Sequence, residues 1–273
     1  MATQQTHSRP LLGVVVFFLI AFGVPWTGWI LLRRTMPLDH MFDSIRTYWF
    51  TAAPSVAGFA AAFAEGGLPG LREFSRRVLD VRTSPLPWLL ALLLPLSAAL
   101  LTFVSHPADL LHGGSPKWAG LIGTASLMNF FTGPLAEEFG WRGFLFQKLA
   151  RRRLHPIWIG VLIAPIWAVW HVPLFYDSVY AHLASAVGYL VWVLAWSVVL
   201  ALVVALAKES VLPSILGHWA INASAGVFFV LLPALPGEKQ PGGYALSIAS
   251  LVVALLFVAF YLWRERRFTA AGA

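Results

Sequence analysis

Glu137 and Glu138 stand side by side in the run Leu135–Phe146, and Arg142 follows four residues after the second. On a helix Glu138 and Arg142 share a face and can pair, while Glu137 points about 100° away. One carboxylate is then neutralised and the other is left for a different partner. His171 lies downstream, and His218 and Asn222 stand four apart further on, sharing a face if they too are helical. A carboxylate beside an imidazole can hold a water and take its proton, and an apolar setting strengthens the carboxylate as a base. An imidazole N–H and an amide one turn apart supply two donors for the oxyanion that forms when that water attacks a carbonyl. Glu137, His171, His218 and Asn222 thus form a hydrolytic set without serine or cysteine.

The elements that must position these groups are membrane helices. Of 273 residues, 59% are hydrophobic and only 11% are charged, against about 25% charged in soluble domains. That excludes a soluble enzyme and a disordered chain, and the lack of cysteine excludes a disulfide scaffold and any thiolate chemistry. Eight apolar segments are predicted, about Leu11–Leu32, Tyr48–Ala64, Leu86–Ser105, Trp118–Gln147, Pro156–Phe175, Leu183–Ala207, Val211–Leu232 and Tyr244–Trp263. Without repeats or low-complexity tracts, 1–273 reads as a single all-α polytopic membrane domain, about eight transmembrane helices around a polar cavity. Its motif-bearing core is about 119–232. Ala21-Phe22-Gly23 resembles a cleavage site, but the apolar run continues to Leu32, too long for a signal core.

Basic residues set the orientation. Thirteen, including Arg76, Arg77, Arg151, Arg152, Arg153 and Arg267, fall in loops on the side of the termini, and five fall on the other, including Lys117 and Lys239. This places both termini in the cytoplasm. Arg33-Arg34 is the conflict. Net charge is +7, yet the charges follow loop topology, so no nucleic-acid partner is expected. The stretch Gly66–Ser84 carries Leu71, Phe74 and Val78 at helical spacing among arginines, which suits either an amphipathic helix on the cytoplasmic leaflet or an ordinary basic loop.

Within the eight segments the charged residues are Glu137, Glu138 and Arg142, joined by His171, His218 and Asn222. Glu137 lies 14 residues before Arg151 and His171 lies 16 after His155. Both are roughly 21–24 Å from the basic turn between their helices, hence level in an antiparallel hairpin. Isolated Glu–Arg pairs often bridge helices, and isolated histidines or asparagines often serve as interhelical glue. Here the groups are few, level-matched and drawn from three helices, which points to one site.

There is no HExxH or GxSxG, and Tyr176-Asp177 lacks a GxGD partner. Glu137-Glu138-Phe-Gly-Trp-Arg142 matches EExxxR. Trp167-Ala-Val-Trp-His171 is similar to FxxxH, and His218-Trp-Ala-Ile-Asn222 matches HxxxN. In this order the set resembles the CAAX prenyl protease and bacteriocin-processing family of intramembrane endopeptidases. The resemblance implies an eight-helix fold with a cavity open to cytoplasm and membrane. It implies Glu137 and His171 as the water-activating pair, His218 and Asn222 at the oxyanion, and Glu138 and Arg142 as supports. Trp167 stands where the family commonly has Phe. It keeps an aromatic wall but fills more volume, which implies an altered substrate pocket.

The expected protein is thus a membrane peptidase, seated in a bacterial inner membrane among its lipids. Its substrate is a peptide or protein, lipidated in the CAAX case or of bacteriocin type. No cofactor is expected, with zinc as the alternative, since two histidines and a glutamate could bind it but Asn222 is a poor ligand. A proton-coupled transporter and a non-catalytic membrane partner or immunity protein are the competing readings. The first lacks the paired broken segments of transporters.

Overall fold

The computed structural model describes residues 10–36, 45–105, 126–231 and 242–271. The opening of the fourth segment (118–125), Leu232, Arg9, Lys117 and Lys239 lie outside them, as does part of the 119–232 core. Among the described residues every regular element is a helix and no strand occurs. Four helices are long and apolar enough to cross a membrane: Pro10–Thr35, Pro85–Ser105, Leu183–Leu206 and Tyr244–Arg267. The chain is an all-α polytopic membrane protein.

Helix α1 runs Pro10–Thr35, with a π-helical turn at Leu19–Gly23. Helix α2, Ala53–Val78, follows a short turn at Ile45–Trp49, and α3 is Pro85–Ser105. Residues 126–132 are helical, and the chain breaks at Gly133 before Pro134 restarts the helix as α4, 134–150. The long fourth segment is therefore two helical pieces joined at a glycine–proline step. Proline suits the first turn of the second piece, where its missing N–H costs nothing. Helices α5 (Pro156–Trp170), α6 (Leu183–Leu206), α7 (Leu212–Leu231) and α8 (Gly242–Ala271) follow, with short helical turns at Val172–Phe175 and Tyr176–Tyr180 between α5 and α6.

Helix α6 is apolar on every face, and the run 195–204 is buried. A helix of this composition belongs in the interior or in lipid. It takes the interior, with α5 on one flank and α8 on another. The α5–α6 approach relies on Gly160, where a Cβ would lie 2.6 Å from the Val198 Cα. Ser197 Oγ donates to the Gly160 carbonyl at 2.8 Å across that contact. Small residues that let backbones touch, bridged by hydroxyl groups, are the usual means of helix association in lipid.

Helix α4 packs against α2 in the same way. A Cβ on Gly140 would collide with the Pro54 carbonyl oxygen, and one on Gly58 would sit 2.7 Å from the Phe139 oxygen. Ser55 Oγ donates to the Leu135 carbonyl at 3.0 Å. Helix α2 kinks at Gly67, whose φ of 59° suits glycine. The stretch after the kink is helical through Val78, and its apolar residues Phe74 and Val78 are buried against the protein. Phe74 meets the Phe59 ring at 5.1 Å.

Arg33, the exception to the charge bias, is not a free loop charge. It forms an ion pair with Asp177 at 2.7 Å, donates to the Pro173 carbonyl at 3.2 Å and lies over the Tyr176 ring. It ties the end of α1 to the turn that follows His171.

Candidate active site

The helix-breaking step at Gly133-Pro134 puts Glu137 and Glu138 in the first turns of α4. The helix then widens into a π-helical stretch, Phe139–Leu145, which carries Arg142. Such π turns occur mostly as single insertions and often at functional sites. The expected Glu138–Arg142 pair survives the widening, with Arg142 Nη1 2.8 Å from Glu138 Oε1 and both side chains fully buried. The same oxygen meets His218 Nδ1 at 2.9 Å. Glu138 therefore holds two partners, one on its own helix and one on α7.

Glu137 turns to α5. Its Oε2 accepts the indole N–H of Trp167 at 2.7 Å, and Glu137 is only 4% exposed. Trp167 is itself 2% exposed. Its ring lies under the Arg142 guanidinium at 4.4 Å and meets the His218 ring edge to face at 5.2 Å. Its backbone carbonyl lies 2.9 Å from His171 Nδ1. A carbonyl oxygen only accepts, so Nδ1 of His171 carries a proton, and Nε2 takes no part in that bond. By the same argument Nδ1 of His218 donates to the Glu138 carboxylate.

His171 sits at the C-terminal end of α5, with φ −78° and ψ −9°. Four rings surround it. Trp170 lies 4.6 Å away edge to face, Phe175 stacks at 5.1 Å, and Trp167 and Tyr189 are near 6 Å. Trp170 is fixed in turn by donating to the Ala21 carbonyl at the α1 π turn, at 2.7 Å. Glu137 and His171 share no direct hydrogen bond; Trp167 touches both.

The structure thus brings Glu137, Glu138, Arg142, Trp167, His171 and His218 into one buried cluster from α4, α5 and α7. Asn222 lies one turn beyond His218 but pairs elsewhere, donating from Nδ2 to Asn129 Oδ1 at 3.0 Å. Asn129 belongs to the helical piece before the Gly133 break. Sequence reasoning missed it, although counting amides together with charges in the fourth segment would have flagged it. It also missed the donor role of Trp167, which only a three-dimensional contact reveals. Among the described residues no three His, Asp or Glu side chains gather closely enough to hold a metal ion. Glu138 Oε2 and Arg142 Nε and Nη2 are buried without a hydrogen-bond partner among the described residues.

Residues 119–224 match the family model described as type II CAAX prenyl endopeptidase Rce1-like. The match takes in 106 of the chain's 273 residues. All eight side chains of the cluster and its margin, from Asn129 to Asn222, fall inside the matched stretch. Helices α1 to α3 and α8 lie outside it. At the family level this match supports a membrane-embedded CAAX-type endopeptidase, a family whose substrates are peptides or proteins. The comparison with curated proteins gives no match.

Proposed function

We propose that the chain hydrolyses a peptide bond with a water activated between Glu137 and His171. One observation carries this reading. Each imidazole of the cluster is anchored through Nδ1, His171 on a backbone carbonyl and His218 on Glu138, so both Nε2 atoms are left for chemistry. Glu137 and His171 Nε2 accept protons, and the water they polarise attacks the scissile carbonyl. The proton taken from water passes to the leaving amine, so base becomes acid in the second half of the reaction. The carbonyl oxygen, now an oxyanion, takes hydrogen bonds from His218 and Asn222. For His218 this requires a proton on Nε2 as well as Nδ1, an imidazolium beside the Glu138 carboxylate. Asn222 can give one amide N–H to Asn129 and the other to the oxyanion.

The substrate is a CAAX-like or bacteriocin-type peptide, and the chain spans a bacterial inner membrane eight times with both termini in the cytoplasm. A reporter fused after Ala273 should read cytoplasmic. The reaction is proposed to run without a metal, because Asn222 is a poor metal ligand and, among the described residues, no three His, Asp or Glu side chains gather closely enough to hold one. Dialysis against a strong chelator, with elemental analysis, should leave activity intact. Activity that returns only with stoichiometric zinc would overturn that part.

The test of the function compares membrane peptide ends from cells expressing the wild type and Glu137→Ala. New ends that appear only with wild type support the peptidase. Identical ends would favour a non-catalytic partner, and proton uptake coupled to a solute would favour the transporter.

A further inference from the structure

We propose that Trp167 is a positioning residue for Glu137, its indole N–H holding one carboxylate oxygen so that the other meets the attacking water. The inference rests on Glu137 as the base. Trp167 Nε1 lies 2.7 Å from Glu137 Oε2, and no other described residue hydrogen-bonds that carboxylate. A carboxylate is planar, so fixing one oxygen fixes the direction of the second. The donor is fixed as well. Arg142 covers its ring face at 4.4 Å, the His218 ring closes in at 5.2 Å, and its backbone carbonyl accepts from His171.

A wall of the substrate pocket should offer surface to the substrate. Trp167, at 2% exposed, offers almost none. Phenylalanine at this position would keep the stacking and edge contacts but has no N–H. Tryptophan here is therefore not a larger phenylalanine. It adds a hydrogen bond to the group that must take a proton, and couples both histidines and Arg142 to that group through a single side chain.

The experiment uses full-length protein in detergent with three forms: wild type, Trp167→Phe, and protein carrying benzothienylalanine at 167, which keeps the bicyclic shape and lacks the N–H. The probe is a fluorophore–quencher peptide ending in a prenylated CAAX-type sequence. Loss of orientation should lower kcat by about 10–100-fold in both variants, with KM within about threefold of wild type. An unchanged kcat with altered KM or altered cleavage preference would make Trp167 a pocket wall and overturn the inference. A second readout needs no turnover. In indole ¹⁵N–¹H spectra the Trp167 resonance, identified by its loss in Trp167→Phe, should move in Glu137→Ala; an unmoved peak overturns the contact. Failure of the underlying reading looks different: a chain that is no peptidase leaves the probe uncut in the wild type, and one whose base is not Glu137 cleaves at the wild-type rate as Glu137→Gln.

Discussion

Helix α4 carries two polar clusters, one at each end, and they are built on opposite terms. At the start stand Glu137, Glu138 and Arg142, with Glu138 and Arg142 fully buried. At the basic end stand Gln147 and Lys148. Lys148 pairs with Glu65 of α2. Arg77 donates to Gln147 at 2.9 Å and to Glu209 at 3.3 Å, while also pairing with Glu73 one turn earlier on α2. Of the carboxylates here, Glu73 at 70% and Glu209 at 37% are open to solvent, while Glu65 is only 14% exposed and its Oε1 is buried without a hydrogen-bond partner among the described residues. Where water reaches the partners, an ion pair is replaceable, because each charge can be solvated once its mate is gone. In the buried cluster nothing replaces the mate. Three polar atoms there already lack hydrogen-bond partners among the described residues, so the cluster is no device for stability alone.

The largest contrast lies between the two adjacent glutamates. Glu137→Gln keeps size and can still accept the Trp167 N–H, but removes the base. Turnover should fall by about 10²–10⁴-fold in a protein that elutes and melts like wild type. Glu138→Gln takes the negative charge from two buried cationic or donor groups, Arg142 and His218. It should lose about 3–5 kcal/mol of stability as well as activity. Thermal unfolding alongside turnover separates the two. A Glu138→Gln protein as stable as wild type would show that the buried pair is as replaceable as the exposed one.

Next come the donors on α7. His218→Ala and Asn222→Ala should each cost on the order of 10²–10³ in kcat, roughly 3–4 kcal/mol of transition-state binding. KM should change little, since the oxyanion exists only during reaction. A rise in KM with kcat intact would assign these residues to substrate binding.

Why these groups, and not their partners, were visible in the sequence has a physical cause. Charges within apolar segments are costly and so conspicuous. Spacing of four then pairs Glu138 with Arg142, because that contact depends only on the local helix. The pairing of Glu138 with His218, and of Glu137 with Trp167, depends on how α4 is rotated against α5 and α7. That rotation is set by the break at Gly133-Pro134, the π stretch at Phe139–Leu145 and the close seat of Gly140 on α2. Helical periodicity does not reveal any of these. Arg33 illustrates the same limit. Its position contradicted the charge bias, and its partner Asp177 lies 144 residues away in sequence.

Asn129 gives a smaller effect. Its Oδ1 holds the Asn222 amide, and Asn222 Nδ2 would come within 3.1 Å of a Cβ at Gly133. The amide is thus confined between a hydrogen bond and the helix break. Asn129→Ala should leave Asn222 in place but free to turn, lowering kcat by about tenfold, less than Asn222→Ala itself. In the Asn222→Ala background the Asn129→Ala change should add nothing, the non-additivity expected of residues in one network. Full additivity would mean that Asn129 acts elsewhere.

The smallest effect belongs at the basic end of α4. Glu73→Gln removes a carboxylate that Arg77 shares with Gln147 and Glu209, and Arg151 reaches it only at 4.0 Å. Arg77 keeps two acceptors, and the position is open to water, so the cost should be under about 1 kcal/mol. Salt should narrow even that gap, since exposed charges are screened over roughly 8–10 Å at ordinary ionic strength. Turnover should match wild type. Melting curves and kcat at low and high salt check both statements. Should Glu73→Gln instead lower kcat tenfold with an unchanged melting point, the exposed network would be setting the pose of α4, and the two ends of this helix would form a single device.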